Sequence, residues 1–199
     1  MQPSSAHTIL NVGYRSTNYW VISVGTSRLL LDLGYPGTMG IMRANLKRMT
    51  VQLQEIKYAL ATHYHIDHAG LAQELKLAGV QLLVLETQVS AIPLMKQWTK
   101  PHDHYVDIML EGNVTISFAE SRALLKRISI EGEILPTPGH SDDSVSLLLD
   151  DGSAFTGDLT PLQYAEEESV VNSWRRLKEH GATRVYPAHG QVYAMYEVK

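Results

Sequence analysis

Residues 62–68 read Thr-His-Tyr-His-Ile-Asp-His and hold four side chains of the kinds that bind transition metals: His63, His65, Asp67 and His68. Alternate residues of an extended segment point the same way, so His63 and His65 can bind one ion. A turn after them lets Asp67 and His68 face a second ion. Because imidazole and carboxylate groups suit zinc, iron, manganese and cobalt, the cluster predicts a metal site.

Three more candidate residues each follow a strand-like run and have small neighbours. They are His140 in Pro-Gly-His-Ser, Asp158 in Thr-Gly-Asp-Leu and His189 in Pro-Ala-His-Gly. Glycine and proline form tight turns that can direct a side chain out from the edge of a sheet. Taken singly, each residue is more typical of a core or surface histidine, or of a turn-forming aspartate.

The elements that would position these residues follow from hydrophobic periodicity. Strands are predicted at 19–24, 28–32, 56–61, 81–85, 133–135, 145–149, 153–156 and 184–186. Helices are predicted at 41–49, 71–78 and 170–180, the last with Trp174 in the core, and 63–70 is expected to be a loop. Early and late groups of strands with helices after them indicate a mixed layered α/β protein. No linker or low-complexity tract interrupts the chain, so residues 1–199 are expected to form a single domain.

The composition excludes several classes of protein. The 199 residues include no cysteine, which removes thiolate metal sites and cysteine nucleophiles. The net charge of −4 disfavours a nucleic-acid partner. The N-terminal residues show no signal-peptide pattern and the apolar runs are too short to span a bilayer, so we expect a cytoplasmic protein without a membrane partner. The expected partner is a small-molecule substrate, and the expected oligomeric state is a monomer or homodimer.

The order of the motifs resembles that of the metallo-β-lactamase superfamily, in particular its small glyoxalase II-like metallohydrolases. His-x-His-x-Asp-His is followed by a Gly-His turn, a Gly-Asp turn and an Ala-His-Gly turn, and Asp32 in Leu-Asp-Leu-Gly matches the structural aspartate after an early strand. The resemblance covers residues 18–190 and implies a four-layer αβ/βα sandwich, with two sheets face to face and helices outside. Stretches 29–34 and 154–159 each run from a strand into an Asp/Gly turn, which fits two related halves.

The resemblance also implies a set of seven metal ligands. One ion would be held by His63, His65 and His140, a second by Asp67, His68 and His189, with Asp158 bridging the two. Asp32 would support these ligands from behind. Asp67 would also be the catalytic residue that orients the nucleophile and passes a proton to the leaving group. The two divalent ions would be zinc, with iron or manganese as alternatives, and a hydroxide held between them would cleave a thioester, lactone or other ester.

Departures from known branches of the superfamily narrow the expected activity. Asp158 has no counterpart in true β-lactamases with this His-x-His-x-Asp-His pattern, so β-lactam cleavage is not the expected main role. Glyoxalase II shares all seven ligands, but its C-terminal glutathione-binding domain is not expected because the chain ends ten residues after His189. A phosphodiesterase and a persulfide dioxygenase with a single iron remain alternatives. A third hypothesis is a protein that binds a ligand at this site without turnover.

Residues 86–131 lie between the metal cluster and the Gly-His turn, where a substrate pocket is expected. Most apolar residues there are expected to pack on the sheet as a helical hairpin. The candidate pocket walls are Met95, Trp98 and Tyr105. His102 and His104, which follow a proline, are interpreted as surface residues.

Overall fold

The computed structural model describes residues 7–195, which form two β-sheets flanked by helices. The first sheet has the spatial order β1 (Thr8–Asn11), β2 (Trp20–Val24), β3 (Ser27–Leu31), β4 (Ile56–Leu60), β5 (Gln81–Leu85) and β6 (Val114–Ile116). The second sheet contains β7 (Gly132–Pro136), β8 (Val145–Leu149), β9 (Ser153–Gly157), β10 (Arg184–Pro187) and β11 (Tyr193–Ala194), arranged in space from β7 to β11 in chain order. The helices are α1 (Met39–Arg48), α2 (Ile66–Ala69), α3 (Ala72–Leu77), α4 (Phe118–Lys126) and α5 (Glu168–Glu179).

The central parts of both sheets are covered on both faces, which explains why strands such as β5 and β8 are almost entirely apolar. In β5, Val84 packs into the core shared with α1 and α3, whereas Leu85 faces the core between the sheets. In β8, Leu147 faces that inter-sheet core, and Leu148 packs with Trp174 of α5. The layers therefore run helix, sheet, sheet, helix, which confirms the expected αβ/βα sandwich. Within residues 7–195, each helix is too short or too polar to cross a membrane.

Strand direction collects the candidate residues at one edge of the sandwich. In the first sheet, β3 and β4 run parallel, and in the second sheet β9 and β10 run parallel. β7 has the same direction as β9, because each is antiparallel to β8 between them. The turns after these five strands contain the predicted site residues. The backbone N–H of Val145 donates to the carbonyl oxygen of Thr62 at 2.8 Å and ties the two sheets together beside them.

Several elements differ from the sequence prediction. The predicted loop at 63–70 contains the short helix α2, so its second half has helical geometry. Residues 86–131 do not form a helical hairpin: they form short 3₁₀ turns, the edge strand β6 and helix α4. Helix α4 begins with a capping box, in which Glu120 Oε2 accepts from the backbone N–H of Ser117. The edge strands β1 and β11 have only four and two residues, too few for a clear alternation of apolar and polar residues.

Gly70 gives a test of the packing behind the site. A Cβ atom at this position would overlap the carbonyl oxygen of Gly34 and the ring of Pro36. We expect Gly70→Ala to lower the free energy of unfolding by about 2 kcal/mol, the typical effect of overpacking a rigid site. Chemical denaturation measures the change, and Gly40→Ala in α1 is the matched control because a Cβ there meets open space.

The control should be neutral or up to about 1 kcal/mol stabilising, since alanine favours the helix over glycine. Equal stability of the two variants would contradict the close approach of the chain at Gly70.

Candidate metal centre

The structure brings all seven predicted ligands together at the edge where the strands end. His63 and His65 follow β4, and Asp67 and His68 lie in α2 directly after them. The remaining three are His140 after β7, Asp158 after β9 and His189 after β10. Their nitrogen and oxygen atoms form three overlapping groups, and within each group these atoms all lie within 4.8 Å of one another.

The first group consists of three imidazoles. The ring centroid of His63 lies 4.4 Å from that of His65 and 4.8 Å from that of His140. His65 Nδ1 and His140 Nε2 are 3.1 Å apart. Three imidazoles with their nitrogen atoms this close together form a ligand set that suits a borderline ion such as zinc.

The second group combines a carboxylate with two imidazoles. Asp67 Oδ2 lies 3.4 Å from His68 Nε2 and 3.3 Å from His189 Nε2. The same oxygen accepts a hydrogen bond from Thr17 Oγ1 at 3.1 Å. The group therefore contains a carboxylate that the three-histidine group lacks.

Asp158 lies between the two groups and contacts both. Its Oδ2 atom lies 3.6 Å from His140 Nε2 and 3.3 Å from His68 Nε2. Its Oδ1 atom lies 3.3 Å from His189 Nε2. One carboxylate thus has an oxygen near the ligand atoms of each group, which is the arrangement required of a bridging ligand.

Partners on the far side of the rings orient the histidines. Asp32, buried behind His68, places Oδ2 3.1 Å from His68 Nδ1, so that Nε2 of the same ring faces the cluster. Thr62 donates its backbone N–H and its hydroxyl to Asp32 Oδ1 at 2.8 and 2.9 Å. His189 Nδ1 donates to the carbonyl oxygen of Ser16 at 2.8 Å. Such contacts select the tautomer whose other nitrogen is free to bind an ion.

Two buried nitrogen atoms show that the cluster fits a cation. Among residues 7–195, His63 Nε2 has no hydrogen-bond partner although its side chain is fully buried. His68 Nε2 is close to two carboxylate oxygens but forms no hydrogen bond with either. Buried polar atoms normally have partners, so atoms in this state indicate a missing one. Imidazole nitrogens and carboxylate oxygens that lie around a common position form a ligand set typical of a divalent transition metal.

The electrostatics of the cluster also favour cations. Burial, with the neighbouring imidazoles of His68 and His65, lowers the pKa of His63 well below its usual value. Burial alone would lower the pKa of His68 too, but Asp32, Asp158 and Asp67 outweigh it and raise that pKa well above its usual value. Burial opposes ionisation of Asp67 and Asp158, yet the nearby imidazole of His68 lowers the pKa of both. The carboxylates are therefore ionised and their charge faces the cluster.

Several supporting residues lack a signal in the sequence. Thr17 lies 50 positions before the aspartate to which it donates. Gln88 is fully buried, and its Nε2 donates to the carbonyl oxygens of Ala61 and Asp143 at 3.0 and 3.3 Å. Asp143 in turn accepts from the backbone N–H of Tyr64 at 2.7 Å. Gln88 and Asp143 thus hold the histidine segment, residues 62–68, against the Gly-His turn. These contacts join parts of the chain that are far apart in the sequence.

The candidate pocket walls in residues 86–131 do not form the cleft beside the cluster. Met95 is buried in the core on the helix side of the first sheet, so its interpretation as a wall is wrong. Trp98 is 69% exposed, and His102 and His104 lie on the surface as expected.

The cleft beside the metal cluster has a volume of about 500 Å³, and its walls come from the turns after β7, β9 and β10. It contains His140, Asp158 and His189 together with Thr160, Pro161, Gln191 and Tyr193.

Comparison with known proteins establishes the family. Residues 12–189 match the metallo-β-lactamase superfamily, and the chain belongs to it. The beta-lactamase-like protein 2 homolog of Caenorhabditis elegans is 28% identical over an alignment of 189 positions that covers 89% of this chain and 57% of that protein. An atrochrysone carboxyl ACP thioesterase of Aspergillus novofumigatus is 25% identical over 185 residues, covering 89% of this chain and 50% of the relative. The chain spans about half the length of the curated relatives it matches.

A solved structure supports the fold in detail. TTHA1623, solved in a di-iron-bound form, matches with a TM-score of 0.70 and 20% identity over 94% of each chain. At this level of identity the likeness concerns the fold alone. The two-sheet sandwich derived from the burial pattern is therefore a known architecture of the superfamily.

The contact between Asp32 and His68 can be tested without an assay of activity. We expect Asp32→Asn to weaken metal binding by roughly 10–100-fold, because a neutral amide stabilises the Nδ1 proton of His68 less than a carboxylate does. The fold should persist, since asparagine tolerates the left-handed backbone at this position, where φ is 60°. Competition with a chromophoric zinc chelator gives the affinity.

Asp142→Asn is the matched control, because Asp142 is exposed and lies outside the cluster. Identical zinc affinities in the two variants would show that Asp32 does not act on the metal site through His68.

Proposed function

We propose that this protein is a hydrolase that binds two divalent metal ions through the seven clustered residues. Zinc fits the donor set, and iron or manganese would fit it as well. The observation that carries the proposal is the position of Asp158, whose carboxylate contacts the histidines of both groups. A single-ion site would leave one of these groups of ligands without a role.

The metal pair, when bound, would supply Lewis acidity that lowers the pKa of a water molecule and stabilises negative charge on the reacting group. Asp67 is the residue of this chain that would position the attacking water. Its ionised carboxylate is an acceptor within the ligand cluster, and the hydrogen bond from Thr17 fixes the orientation of Oδ2. The same carboxylate would carry the proton of the water to the departing atom.

An acyl compound is the substrate class we infer. In thioester hydrolysis a C–O bond forms, the C–S bond breaks, and the proton of the water passes to the thiolate, leaving a carboxylic acid and a thiol. The relative named as an acyl-carrier-protein thioesterase supports this class. Lactones and other esters follow the same chemistry with oxygen as the leaving atom. Phosphodiesters and persulfides are the alternative substrates that an assay must distinguish from acyl compounds.

A substrate panel with an Asp158 variant tests the proposal. We expect the zinc-loaded protein to release protons from a thioester in a pH-stat, and less readily from a lactone and a carboxylic ester. Asp158→Ala should lose at least a hundredfold in rate and at least one bound ion, because the bridging carboxylate is gone. Metal content is measured on the same samples. Asp107→Ala, which removes an exposed carboxylate paired with Lys96, should leave both rate and metal content unchanged.

Other results of the substrate panel would assign a different function to the protein. Turnover of a phosphodiester alone would make the protein a phosphodiesterase. Oxygen uptake by iron-loaded protein with glutathione persulfide would identify a dioxygenase. Full activity of Asp158→Ala with unchanged metal content would rule out the two-ion mechanism. Tight binding of a panel compound without turnover would rule out a catalytic role.

A further inference from the structure

A second cavity opens beside the metal cleft and differs from it in chemistry. It has a volume of about 300 Å³ and lies between the turn after β9, helix α5 and strand β11. Its walls are formed mainly by Pro161, Leu162, Trp174, Tyr193, Ala194 and Met195. We propose that this apolar pocket binds the acyl group of the substrate and makes the enzyme selective for aliphatic or aromatic acyl chains. The inference rests on the proposed function.

The pocket adjoins the metal cleft. Pro161 and Tyr193 line both cavities, while Asp158 and His189 lie in the cleft on the other side of them. A substrate whose carbonyl group lies beside Asp158 would place its acyl chain in the pocket by passing Pro161 and Tyr193. Both volumes fall within the range of small-molecule sites, roughly 300–1,000 Å³.

The walls of the pocket are held by packing and hydrogen bonding. Trp174 of α5 is 2% exposed, and its Nε1 donates to the carbonyl oxygen of Thr160 at 2.7 Å. This bond fixes the turn that carries Leu162. Leu162, Tyr193 and Met195 pack against the core that β9 and α5 share. A pocket with supported walls is preorganised, so little ordering is needed when a ligand enters.

The lining selects an apolar group. Within the described residues its walls include no charged side chain, and the polar groups are the amide of Gln163 and the hydroxyl of Tyr193. Burial raises the pKa of Tyr193, so this phenol is neutral at physiological pH. Burial of each methylene of a ligand can improve binding by up to about fourfold. A charged or heavily hydrated group would lose its hydration there without compensation.

The acyl group suits the pocket better than the leaving group does. The thiol leaves as a thiolate, whose developing negative charge is disfavoured among apolar side chains. The cleft beside His140 and Gln191 is more open to solvent than the pocket, so a charged leaving group can remain hydrated there. The acyl chain carries no charge at any stage of the reaction.

A series of thioesters with one thiol and different acyl groups tests the assignment. Acetyl, butyryl, hexanoyl and phenylacetyl esters of N-acetylcysteamine are compared by kcat/KM with the zinc-loaded protein. We expect the hexanoyl and phenylacetyl esters to exceed the acetyl ester by at least tenfold. Ala194→Trp should fill the pocket, lowering kcat/KM for these two esters at least tenfold and for the acetyl ester less than threefold.

Val192→Trp is the matched control, because Val192 is an exposed neighbour that lines neither cavity. It adds the same bulk, and the order of the esters should stay that of the unaltered protein. Equal loss on all esters in Ala194→Trp, or no dependence on acyl length in the unaltered protein, would overturn the pocket assignment while leaving thioester hydrolysis in place.

A binding measurement separates the pocket from the reaction. In a ketone analogue of the hexanoyl ester, a methylene replaces the sulfur, so the compound binds without being cleaved. Calorimetry should show at least tenfold tighter binding of this ketone than of its acetyl counterpart, and Ala194→Trp should abolish the difference. This result in a protein that cleaves no thioester would retain the pocket and reject the proposed reaction. Equal affinity for the two ketones would reject the pocket.

Discussion

The carboxylate of Asp32 is the group on which the geometry of the site depends. One oxygen accepts two hydrogen bonds from Thr62 at the start of the histidine segment, and the other lies beside His68 at its end. A single side chain thus determines where the segment leaves β4 and how its last imidazole is oriented. The left-handed backbone at Asp32 adds a second requirement, because few residues other than glycine, asparagine and aspartate adopt it readily. Charge and backbone geometry together leave aspartate as the residue that satisfies both.

The two sheets contribute equivalent carboxylates to opposite sides of one imidazole. Asp32 follows β3 in the first sheet and faces Nδ1 of His68, whereas Asp158 follows β9 in the second sheet and faces Nε2. The similarity of stretches 29–34 and 154–159 therefore has a structural counterpart in the way each half ends a strand. The two carboxylates nevertheless differ in surroundings. Asp32 is buried behind the ring, whereas Asp158 reaches the cleft, where a substrate could contact it.

The sequence predicts well which candidate ligands come together, because their signals are local. Four of the seven candidates lie within six positions, and the other three sit in turns that glycine and proline mark. Buried strands such as β5 and β8 are predicted with the observed limits, since an apolar run reports burial on both faces. Thr17, Gln88 and the walls of the acyl pocket are not predictable in this way. Their roles arise from contacts between distant segments, and a threonine or a leucine has the same local pattern in any loop or short helix. The short edge strands are missed by the sequence prediction for the same reason, since they are defined by pairing with a neighbouring strand.

The hydrogen bonds between residues 16–18 and the turn after β10 determine when the site can be completed. Asn18 donates to the carbonyl oxygens of Pro187 and Gly190, and Ser16 accepts from His189, across about 170 positions of the chain. A ribosome makes the chain from its N-terminus, so the three-histidine group can assemble once residue 140 has emerged, whereas the group that contains His189 must wait until that residue has emerged as well. An ion captured at that stage would find the three imidazoles, Asp67 and His68, but neither Asp158 nor His189. Loading of the two proposed ions would follow an order set by translation, with the second ion marking a chain whose distant segments have met.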